Sequence, residues 1–278
     1  MKDKKCIVIT GGNTGIGLAT AADLCARGHA VIIACRDQNK ARQAVESIRA
    51  KQPTADIEAR ALDLASFESI RSFATQLLAD RPCIDVLINN AGAYPTRQQF
   101  TQEGFELQFG VNYLGHFLLT HLLLPALQVS GDARIVHLSS IMHHLGKIDE
   151  STFKGRKKYS GTAAYGQSKL ANLLFSNALA KRLPSDITSN AVHPGGVDSD
   201  IYRELPTLVY KILRLFLIST ERAGAYVADM AVSPKWQGRN GEFKAAHGPL
   251  PVSRRGRDAA LADELYEKSC ELAGVTAI

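Results

Sequence analysis

Tyr165 and Lys169 form the clearest candidate for proton-transfer chemistry in this sequence. They lie near the start of a helical pattern over residues 164–182. Residues four apart on a helix share a face, so we expect the phenol and the ammonium to point into one space. A free tyrosine has a pKa of about 10, but a nearby ammonium stabilises the phenolate and lowers that pKa. The pair is therefore predicted to donate a proton to a carbonyl oxygen or to accept one from an alcohol.

Two polar residues earlier in the chain complete the candidate reacting set. Ser140 follows the apolar run 134–138, and its hydroxyl can hydrogen-bond an oxygen on which charge develops, although serines also close strands. Asn112 stands near the start of the apolar segment 111–127, where it either caps a helix or holds a water molecule of a proton relay. The predicted catalytic residues are Asn112, Ser140, Tyr165 and Lys169.

A glycine-rich turn near the N-terminus predicts a site for a dinucleotide pyrophosphate. The apolar run 6–10 leads into Thr-Gly-Gly-Asn-Thr-Gly-Ile-Gly at residues 10–17, where a helical pattern begins. Glycine lets the backbone turn tightly and lets a phosphate approach it, and the first N–H groups of the helix can bind the anion. The alternative is that these glycines only turn the chain. The predicted cofactor contacts in this turn are Gly11, Asn13, Thr14, Gly15, Ile16 and Gly17.

The residues after the second apolar run predict which dinucleotide binds. Arg36 and Asp37 follow the run 30–35. An arginine at such a strand end accommodates the 2′-phosphate of NADP, whereas an acidic residue accepts a hydrogen bond from the ribose of NAD. Because Arg36 comes first, NADP(H) is the predicted cofactor. The alternative is NAD(H), bound through Asp37 with Arg36 in solvent.

Three later strand ends are predicted to complete the cofactor site. Asp63 can accept a hydrogen bond from an adenine amino group, or it can cap the helix that follows. The small residues of Asn-Asn-Ala-Gly at 89–92 would let the cofactor pass, and the loop after residue 193 would lie beside its nicotinamide end. The predicted contacts in these loops are Asp63, Leu64, Asn90, Ala91, Gly92, Pro194, Gly195, Val197 and Ser199.

The elements that must position these residues alternate along the chain. Short apolar runs are separated by amphipathic segments of helical length. Strands joined by helical crossovers form a parallel sheet covered on both faces, with ligands beyond the carboxyl ends of the strands. We therefore predict an α/β fold, a Rossmann-type doubly wound parallel sheet flanked by helices. The predicted strands are 6–10, 30–35, 57–62, 84–88, 134–138 and 187–192, and the predicted helices are 17–27, 40–51, 67–80, 111–127 and 164–182.

Length and composition fit a single domain and exclude several other classes. The chain has 278 residues, 45% of them apolar, which suffices for a sizeable core. We expect one domain, with a cofactor-binding half over about 1–140 and a catalytic and substrate-binding half over about 141–278. The net charge of +6 is mild and the basic clusters 154–158 and 254–257 are short. Solvated loops or attraction of an anionic cofactor are therefore favoured over nucleic-acid binding.

Cysteine usage and the lengths of the apolar runs predict the compartment and argue against a metal site. The five cysteines are scattered without a Cys-x-x-Cys pair, which fits reduced thiols and offers no zinc site. His143 and His144 are adjacent and lack carboxylate or cysteine partners in sequence, so we expect them to line a pocket rather than bind a metal. The first apolar run is too short for a signal peptide or an anchor, so a cytoplasmic location is expected.

The apolar segment 205–218 leaves three interpretations open. Pro206, Lys211 and Arg214 interrupt it, and it is shorter than the roughly 20 apolar residues of a membrane span. Its helical spacing of apolar residues fits a lid over an apolar substrate, in a variable region over about 200–220. The same pattern fits peripheral contact with a membrane surface, or packing in the core or against a second subunit of a homo-oligomer.

These motifs together resemble the classical short-chain dehydrogenase/reductase family over nearly the whole chain. The resemblance rests on the glycine turn at 10–17, Asn-Asn-Ala-Gly at 89–92, Tyr-x-x-x-Lys at 165–169 and Pro-Gly-x-Val-x-Ser at 194–199. It implies that Tyr165 is the acid/base. Lys169 would then both lower the Tyr165 pKa and bind the nicotinamide ribose.

The same resemblance implies roles for four further positions. Ser140 would be a ligand of the substrate oxygen, and Asn112 would be the relay residue. The backbone around Val197 would meet the nicotinamide carboxamide. Ser199 stands where the family usually has threonine, and its hydroxyl would keep a phosphate contact.

A closer resemblance is to the retinol-dehydrogenase-like branch of that family. It rests on Ile-Ala-Cys-Arg-Asp at 33–37, Ser-Ser-x-x-His-His at 139–144, Tyr-x-x-Ser-Lys-Leu-Ala-Asn at 165–172 and Val-His-Pro-Gly at 192–195. It implies an NADP(H)-dependent oxidoreductase that moves a hydride between nicotinamide and the carbonyl or alcohol group of an apolar small molecule, such as a retinal-, steroid- or aldehyde/ketone-like compound. The N-terminal membrane segment common in that branch is not seen in this sequence.

Two other functions remain as alternatives. A non-catalytic NADP-binding sensor or scaffold would need only the cofactor loops, so the complete set of four reacting residues argues against it. A sugar-nucleotide epimerase or dehydratase also uses Tyr-x-x-x-Lys. Its glycine turn, however, usually has the spacing Thr-Gly-x-x-Gly-x-x-Gly, which differs from the spacing at residues 10–17.

Overall fold

The apolar runs form one parallel sheet in the computed structural model, which describes residues 4–195 and 218–278. The strand order is β3-β2-β1-β4-β5-β6-β7, and every neighbouring pair is parallel. The Rossmann-type doubly wound sheet predicted from the sequence is therefore confirmed, and it forms one domain. The strands are β1 (Cys6–Thr10), β2 (Ala30–Cys35), β3 (Ile57–Ala61), β4 (Val86–Asn89), β5 (Ala133–Leu138), β6 (Ile187–His193) and β7 (Phe243–Ala245).

Most of the helices in the described residues begin at polar caps that the sequence supplies. Asp37, Ser66 and Ser160 each precede a helix, and each side chain accepts a hydrogen bond from an N–H of the first turn. These caps fix where the chain leaves the carboxyl edge of the sheet. The helices are α1 (Gly15–Ala26), α2 (Gln38–Lys51), α3 (Phe67–Asp80), α4 (Gly115–Ser130), α5 (Gly161–Arg182), α6 (Thr220–Val232) and α7 (Ala259–Ala273).

The helices cover both faces of the sheet, each over its own apolar core. One core joins the sheet to α3, α4, α5 and α7, and the other joins it to α1, α2 and α6. The strands between them are buried on both faces, as continuous apolar runs such as Cys6–Thr10 require. The loops at the carboxyl ends of the strands are therefore the part of the sheet that is free to carry chemistry.

Some elements differ from the sequence pattern for local reasons. The run predicted to begin at Ile84 starts as a strand only at Val86, because the Ile84 N–H donates to the Ala126 carbonyl at 3.1 Å rather than to the ladder. The strand β7 has only three residues and shows no apolar run in sequence, so the pattern does not predict it.

The segment predicted as one helix over 111–127 is compound. A single α-helical turn at Leu107–Phe109 and a π-helical turn at Gly110–Leu114 precede α4. A Cβ at Gly115 would lie 2.7 Å from the Leu64 carbonyl, so the helix passes very close to the loop after β3. Among the described residues, no helix combines the length and the apolar character that crossing a bilayer requires.

Candidate active site

The N-terminal half of α5 places Tyr165 and Lys169 beside each other at the carboxyl edge of the sheet. Ser160 caps this helix through a 3.3 Å hydrogen bond from the Ala163 N–H. The Lys169 Nζ lies 5.4 Å from the centre of the Tyr165 ring and donates a hydrogen bond to the Leu138 carbonyl at 2.9 Å. Because Lys169 is buried, desolvation lowers its pKa to about 8. A largely charged ammonium therefore faces the phenol at pH 7.

The end of β5 is tied to α5 at these same residues. The Ser139 hydroxyl donates a hydrogen bond to the Lys169 carbonyl at 2.7 Å. The Asn172 amide donates to the Leu138 carbonyl at 3.1 Å, and that carbonyl is also the acceptor for the Lys169 ammonium. The strand and the helix are thus locked together where the candidate proton donor lies.

Ser140 lies directly beyond β5 and is 8% exposed. Its Oγ accepts a hydrogen bond from the Met142 N–H at 3.2 Å, which leaves the hydroxyl proton for an oxygen in the site. Its carbonyl accepts from the His143 Nδ1 at 2.6 Å, and the His143 Nε2 accepts from the Ser253 N–H at 3.1 Å. Since His143 is fully buried, it fixes the Ser140 backbone and does not line a pocket.

Asn112 lies in the π-helical turn Gly110–Leu114, with its side chain fully buried. Its Oδ1 accepts from the Ala93 N–H at 2.6 Å, and its Nδ2 donates to the Ala93 carbonyl and to the Ser168 Oγ, both at 3.1 Å. The Ser168 hydroxyl donates to the Tyr165 carbonyl at 2.9 Å. The Asn112 amide therefore does not cap a helix; it joins the loop after β4 to α5. The Asn112 backbone carbonyl oxygen lies 3.0 Å from the His116 Nδ1.

The glycine turn after β1 is tight enough to exclude larger residues. A Cβ at Gly17 would lie 2.4 Å from the Gly11 carbonyl oxygen and 2.5 Å from the Asn90 Nδ2. Gly11 and Gly15 have positive φ angles of 66° and 54°, which L residues rarely adopt. A Cβ at Gly15 would meet no protein atom within 4 Å, so the space beside the start of α1 is open.

Asn13, Thr14 and Ile16 complete this turn and are half-buried or exposed. Thr14 precedes α1 in an extended conformation, and its side chain does not cap the helix. The first N–H groups of α1 are thus not covered by that side chain. On the inner side of the turn, the Cys35 thiol lies against the backbone N–H groups of Gly12 and Asn13, and burial raises its pKa to about 11.

The residues after β2 separate the roles of Arg36 and Asp37. The Asp37 carboxylate caps α2, since its Oδ1 accepts from the Asn39 and Lys40 N–H groups at 3.0 Å each. Arg36 is exposed, and within residues 4–195 and 218–278 its guanidinium makes no hydrogen bond or ion pair. The cation is therefore available at the strand end, while the neighbouring carboxylate already has partners.

Asp63 and Leu64 form the loop after β3. The Asp63 Oδ1 accepts from the Ala65 N–H at 2.9 Å, which closes a local turn. The helix α3 is capped by Ser66, whose Oγ accepts from the Ser69 N–H at 3.2 Å. Asp63 is thus not the helix cap, and Leu64 is buried beside it.

The loop after β4 is clamped onto the glycine turn. The Asn90 Nδ2 donates to the Thr10 carbonyl at 2.7 Å and to the Gly11 carbonyl at 3.2 Å. The N–H groups of Asn90 and Ala91 donate to the Thr10 Oγ1 at 2.9 and 3.0 Å. Gly92 is exposed next to this clamp. The two loops predicted to flank the cofactor therefore form one unit.

The loop after β6 is described only in part. Pro194 and Gly195 are buried, and Gly195 has a φ of 105°. A Cβ at Gly195 would lie 2.6 Å from the Ile218 Cδ1, so the two ends of the undescribed segment meet here. The predicted contacts Val197 and Ser199 lie outside the described residues, as does the segment 205–218 except for its last residue.

Residues 4–195 and 218–278 hold no group of three histidine, cysteine or carboxylate side chains placed to share a metal ion. His144 has its own partner, since its Nε2 lies 2.9 Å from the Pro251 carbonyl. All five cysteines are free thiols that are buried or half-buried.

Two residues at the site carry no motif that could have identified them. The Tyr94 ring packs edge-on against the Tyr165 ring, with 5.2 Å between the ring centres, and its hydroxyl lies 3.1 Å from the Thr162 Oγ1. His116 lies one turn after Asn112 and has its ring nitrogens near Asn112 and Thr10. Their only sequence signal is position, because each stands within four residues of a predicted site residue.

Residues 5–207 match the family model described as short chain dehydrogenase. Retinol dehydrogenase 12 of Mus musculus is 44% identical over 274 residues, which cover 98% of this chain and 87% of that protein. Retinol dehydrogenase 11 of Mus musculus is 41% identical over 274 residues, with coverages of 98% and 87%.

Solved structures show the same similarity. The crystal structure of an uncharacterised protein from Mycobacterium paratuberculosis superposes with a TM-score of 0.79 at 35% identity. The match covers 98% of this chain and 94% of that one. The similarity therefore extends through both halves of the domain.

Proposed function

Because this chain belongs to the short chain dehydrogenase family, in its retinol-dehydrogenase-like branch, we propose that it is an NADP(H)-dependent oxidoreductase acting on an apolar carbonyl or alcohol. Family membership itself makes the protein an oxidoreductase that binds a nicotinamide cofactor and acts on a small molecule. The NADP preference, the apolar substrate and the residue roles are the proposal. The observation that best supports it is the buried Lys169 ammonium facing the Tyr165 phenol.

The residues of the glycine turn fit a dinucleotide. The open space beside Gly15 adjoins the first N–H groups of α1, which suit the phosphates of a pyrophosphate. The clamp between Asn90 and the backbone of Thr10 and Gly11 holds the turn in place. When bound, the cofactor supplies the hydride chemistry, and the chain supplies binding, orientation and proton transfer.

The proposed NADP preference rests on the residues after β2. The exposed guanidinium of Arg36 is free to pair with a 2′-phosphate through charge-assisted hydrogen bonds. The neighbouring Asp37 accepts two backbone hydrogen bonds as the cap of α2, which favours its role as a cap over binding a ribose hydroxyl. NAD(H) is the less favoured cofactor.

The four reacting residues have distinct proposed roles. In carbonyl reduction, the Tyr165 hydroxyl donates its proton to the substrate oxygen, and the Ser140 hydroxyl donates a hydrogen bond to the same oxygen. The Lys169 ammonium stabilises the phenolate that Tyr165 leaves. The Asn112 backbone carbonyl accepts a hydrogen bond from a water that returns a proton to the site. Alcohol oxidation reverses these transfers.

An apolar substrate is favoured by the side chains around the reacting residues. The Tyr94 ring forms a wall beside Tyr165. Ile141 and Leu145, which follow Ser140, are 47% and 65% exposed, so apolar surface lies next to the hydroxyl that would bind the substrate oxygen. We also propose that the variable region over about 200–220 covers this surface as a lid, and that the halves 1–140 and 141–278 divide cofactor binding from catalysis.

The test is NADPH oxidation followed at 340 nm with a panel of apolar carbonyls, including all-trans-retinal, medium-chain aldehydes and steroid ketones. Tyr165→Phe should lower kcat by at least a hundredfold while NADPH still binds, because the variant lacks only the proton donor. Tyr159→Phe is the control, since Tyr159 is a half-buried tyrosine that bonds Gln108 and lies outside the reacting set. Turnover that survives in Tyr165→Phe would reject the role of Tyr165. Tight NADPH binding without turnover in the wild type would favour the sensor or scaffold.

A further inference from the structure

His116 lies in α4 beneath the candidate site and joins two of its parts. Its Nδ1 lies 3.0 Å from the Asn112 carbonyl oxygen, and its Nε2 lies 2.8 Å from the Thr10 Oγ1. The ring is 1% exposed, so both contacts exclude water. The two partners lie 102 residues apart in the chain, one at the end of β1 and the other in the π-helical turn.

The direction of each hydrogen bond follows from the chemistry of the partners. A carbonyl oxygen can only accept, so the proton of the ring is on Nδ1. Burial lowers the pKa of His116 to about 4, so the ring is neutral near pH 7 and Nε2 is an acceptor. The Thr10 hydroxyl then donates to Nε2, in preference to the Ile88 carbonyl, which lies 3.4 Å away.

The Thr10 oxygen thereby links His116 to the cofactor loops. It accepts hydrogen bonds from the N–H groups of Asn90 and Ala91 at 2.9 and 3.0 Å. A continuous series of hydrogen bonds therefore runs from the loop after β4, through Thr10 and His116, to the Asn112 carbonyl. All of these hydrogen bonds run in the same direction, with each donor facing an acceptor.

We propose that His116 is a positioning residue for the reaction, which holds the Asn112 carbonyl in register with the loops that bind the cofactor. This inference rests on the proposed function, since the carbonyl is the relay acceptor there. His116 touches neither substrate nor cofactor in this role and acts through Asn112. The bond from the His116 Nδ1 occupies one lone pair of the Asn112 carbonyl oxygen and so fixes the direction of that group.

The chain offers a matched control on the same helix. The His121 Nδ1 lies 2.9 Å from the Phe117 carbonyl, four residues earlier, and its Nε2 lies 2.9 Å from the Tyr266 hydroxyl. His121 therefore makes the same two kinds of contact as His116, but its partners lie in the core between α4 and α7. If kcat fell only because a buried histidine was disturbed, the same fall would be seen for variants at both positions.

The test compares asparagine and glutamine at each position, because the asparagine amide reproduces Nδ1 and the glutamine amide reproduces Nε2. His116→Gln should lower kcat at least tenfold, with KM and the NADPH dissociation constant within threefold of wild type. His116→Asn should lose less kcat than His116→Gln but stay below the wild type, because it keeps a donor for the Asn112 carbonyl and lacks the contact with Thr10. His121→Asn and His121→Gln should keep kcat within threefold, even where the thermal midpoint falls.

Three results would overturn the inference: wild-type kcat in His116→Gln, equal losses in His116→Asn and His116→Gln, or equal losses in the His121 variants. A wild type that binds NADPH but reduces no carbonyl would reject the proposed function instead. In that case, hydrogen exchange of the Asn90 and Ala91 amides tests the positioning role of His116, because it needs no turnover. Faster exchange in His116→Phe than in His121→Phe is expected, and equal exchange would overturn the inference.

Discussion

Lys169 keeps an ionisable amine in a buried position, and this has a measurable effect on stability. Burial lowers the pKa of its amine to about 8 in the folded protein, against 10.5 for an exposed lysine. Between these values the unfolded chain holds a proton that the folded chain has lost, so the free energy of unfolding rises with pH in this window. The full difference corresponds to about 3 kcal/mol.

Lys169→Met removes this pH dependence, so the wild type should gain up to about 3 kcal/mol of unfolding free energy over the variant between pH 8 and 10.5. The measurement is urea unfolding of both proteins at several pH values without cofactor. Subtracting the unfolding free energy of the variant from that of the wild type cancels the contributions of the tyrosines and lysines that titrate in both proteins. A difference that stays constant over this pH range would show that the amine is not desolvated.

Arg36 is the residue proposed to select the cofactor, and its removal should act on one cofactor only. Arg36→Ala should weaken NADPH binding at least tenfold and change NADH binding less than threefold, since only NADPH carries the 2′-phosphate. Both dissociation constants can be measured by fluorescence titration. The control is Arg42→Ala, because Arg42 is an exposed arginine of α2 that bonds Asn39 and should leave both constants unchanged. Equal weakening of NADPH and NADH by Arg36→Ala would contradict the assignment.

Residues in local motifs could be predicted from the sequence, but residues defined by distant contacts could not. The Tyr165 and Lys169 pair shares a helix face because of its spacing, so the sequence is enough to bring the two together. The link between His116 and Thr10 spans 106 residues, and neither spacing nor residue type indicates it. His143 presents the same difficulty, because the residue that bonds its Nε2, Ser253, lies 110 positions later in the chain.

The glycine turn and the loop after β4 act as one element, so Gly17 cannot be enlarged without opening it. In Gly17→Ala the new Cβ would lie 2.4 Å from the Gly11 carbonyl oxygen and 2.5 Å from the Asn90 Nδ2. One of these groups must move, and both are backbone or clamp atoms of the cofactor site.

We therefore expect Gly17→Ala to weaken NADPH binding at least tenfold while the sheet and its two cores persist. Binding can be measured by titration, and circular dichroism with thermal unfolding reports whether the fold is retained. A Gly17→Ala protein with wild-type NADPH affinity would show that the turn adapts.

Helices and strands with regular patterns could be predicted, while compound elements could not. The strands 6–10 and 30–35 have the bounds that their apolar runs predict. The π-helical turn at Gly110–Leu114 arises where the helix must pass the Leu64 loop and present Asn112 to Ala93, which are tertiary demands. The strand β7 depends on pairing with β6, since three residues carry no periodicity of their own.

At the scale of the whole molecule, the interior holds a layer of polar side chains within the apolar cores. His137 is 1% exposed in β5, with its Nδ1 3.3 Å from the Asn89 Nδ2 and its Nε2 3.2 Å from the Ser189 Oγ. His116 lies in the same interior, and His193 is buried at the end of β6. Burial lowers the pKa values of His116 and His193 to about 4 and that of His137 to about 3.

These histidines should make the fold sensitive to acid. Each ring stays neutral in the folded protein down to its lowered pKa, whereas the unfolded chain protonates it below about 6.5. Unfolding therefore takes up protons between pH 6.5 and about 4, and stability falls as pH falls, by about 2 kcal/mol for each histidine at pH 5.

Calorimetry in two buffers of different ionisation enthalpy measures the proton uptake. His137→Gln should lower it by about one proton at pH 5. Equal uptake in the wild type and His137→Gln would mean that this ring is already charged in the fold, and the neutral polar layer inferred from its burial would be wrong.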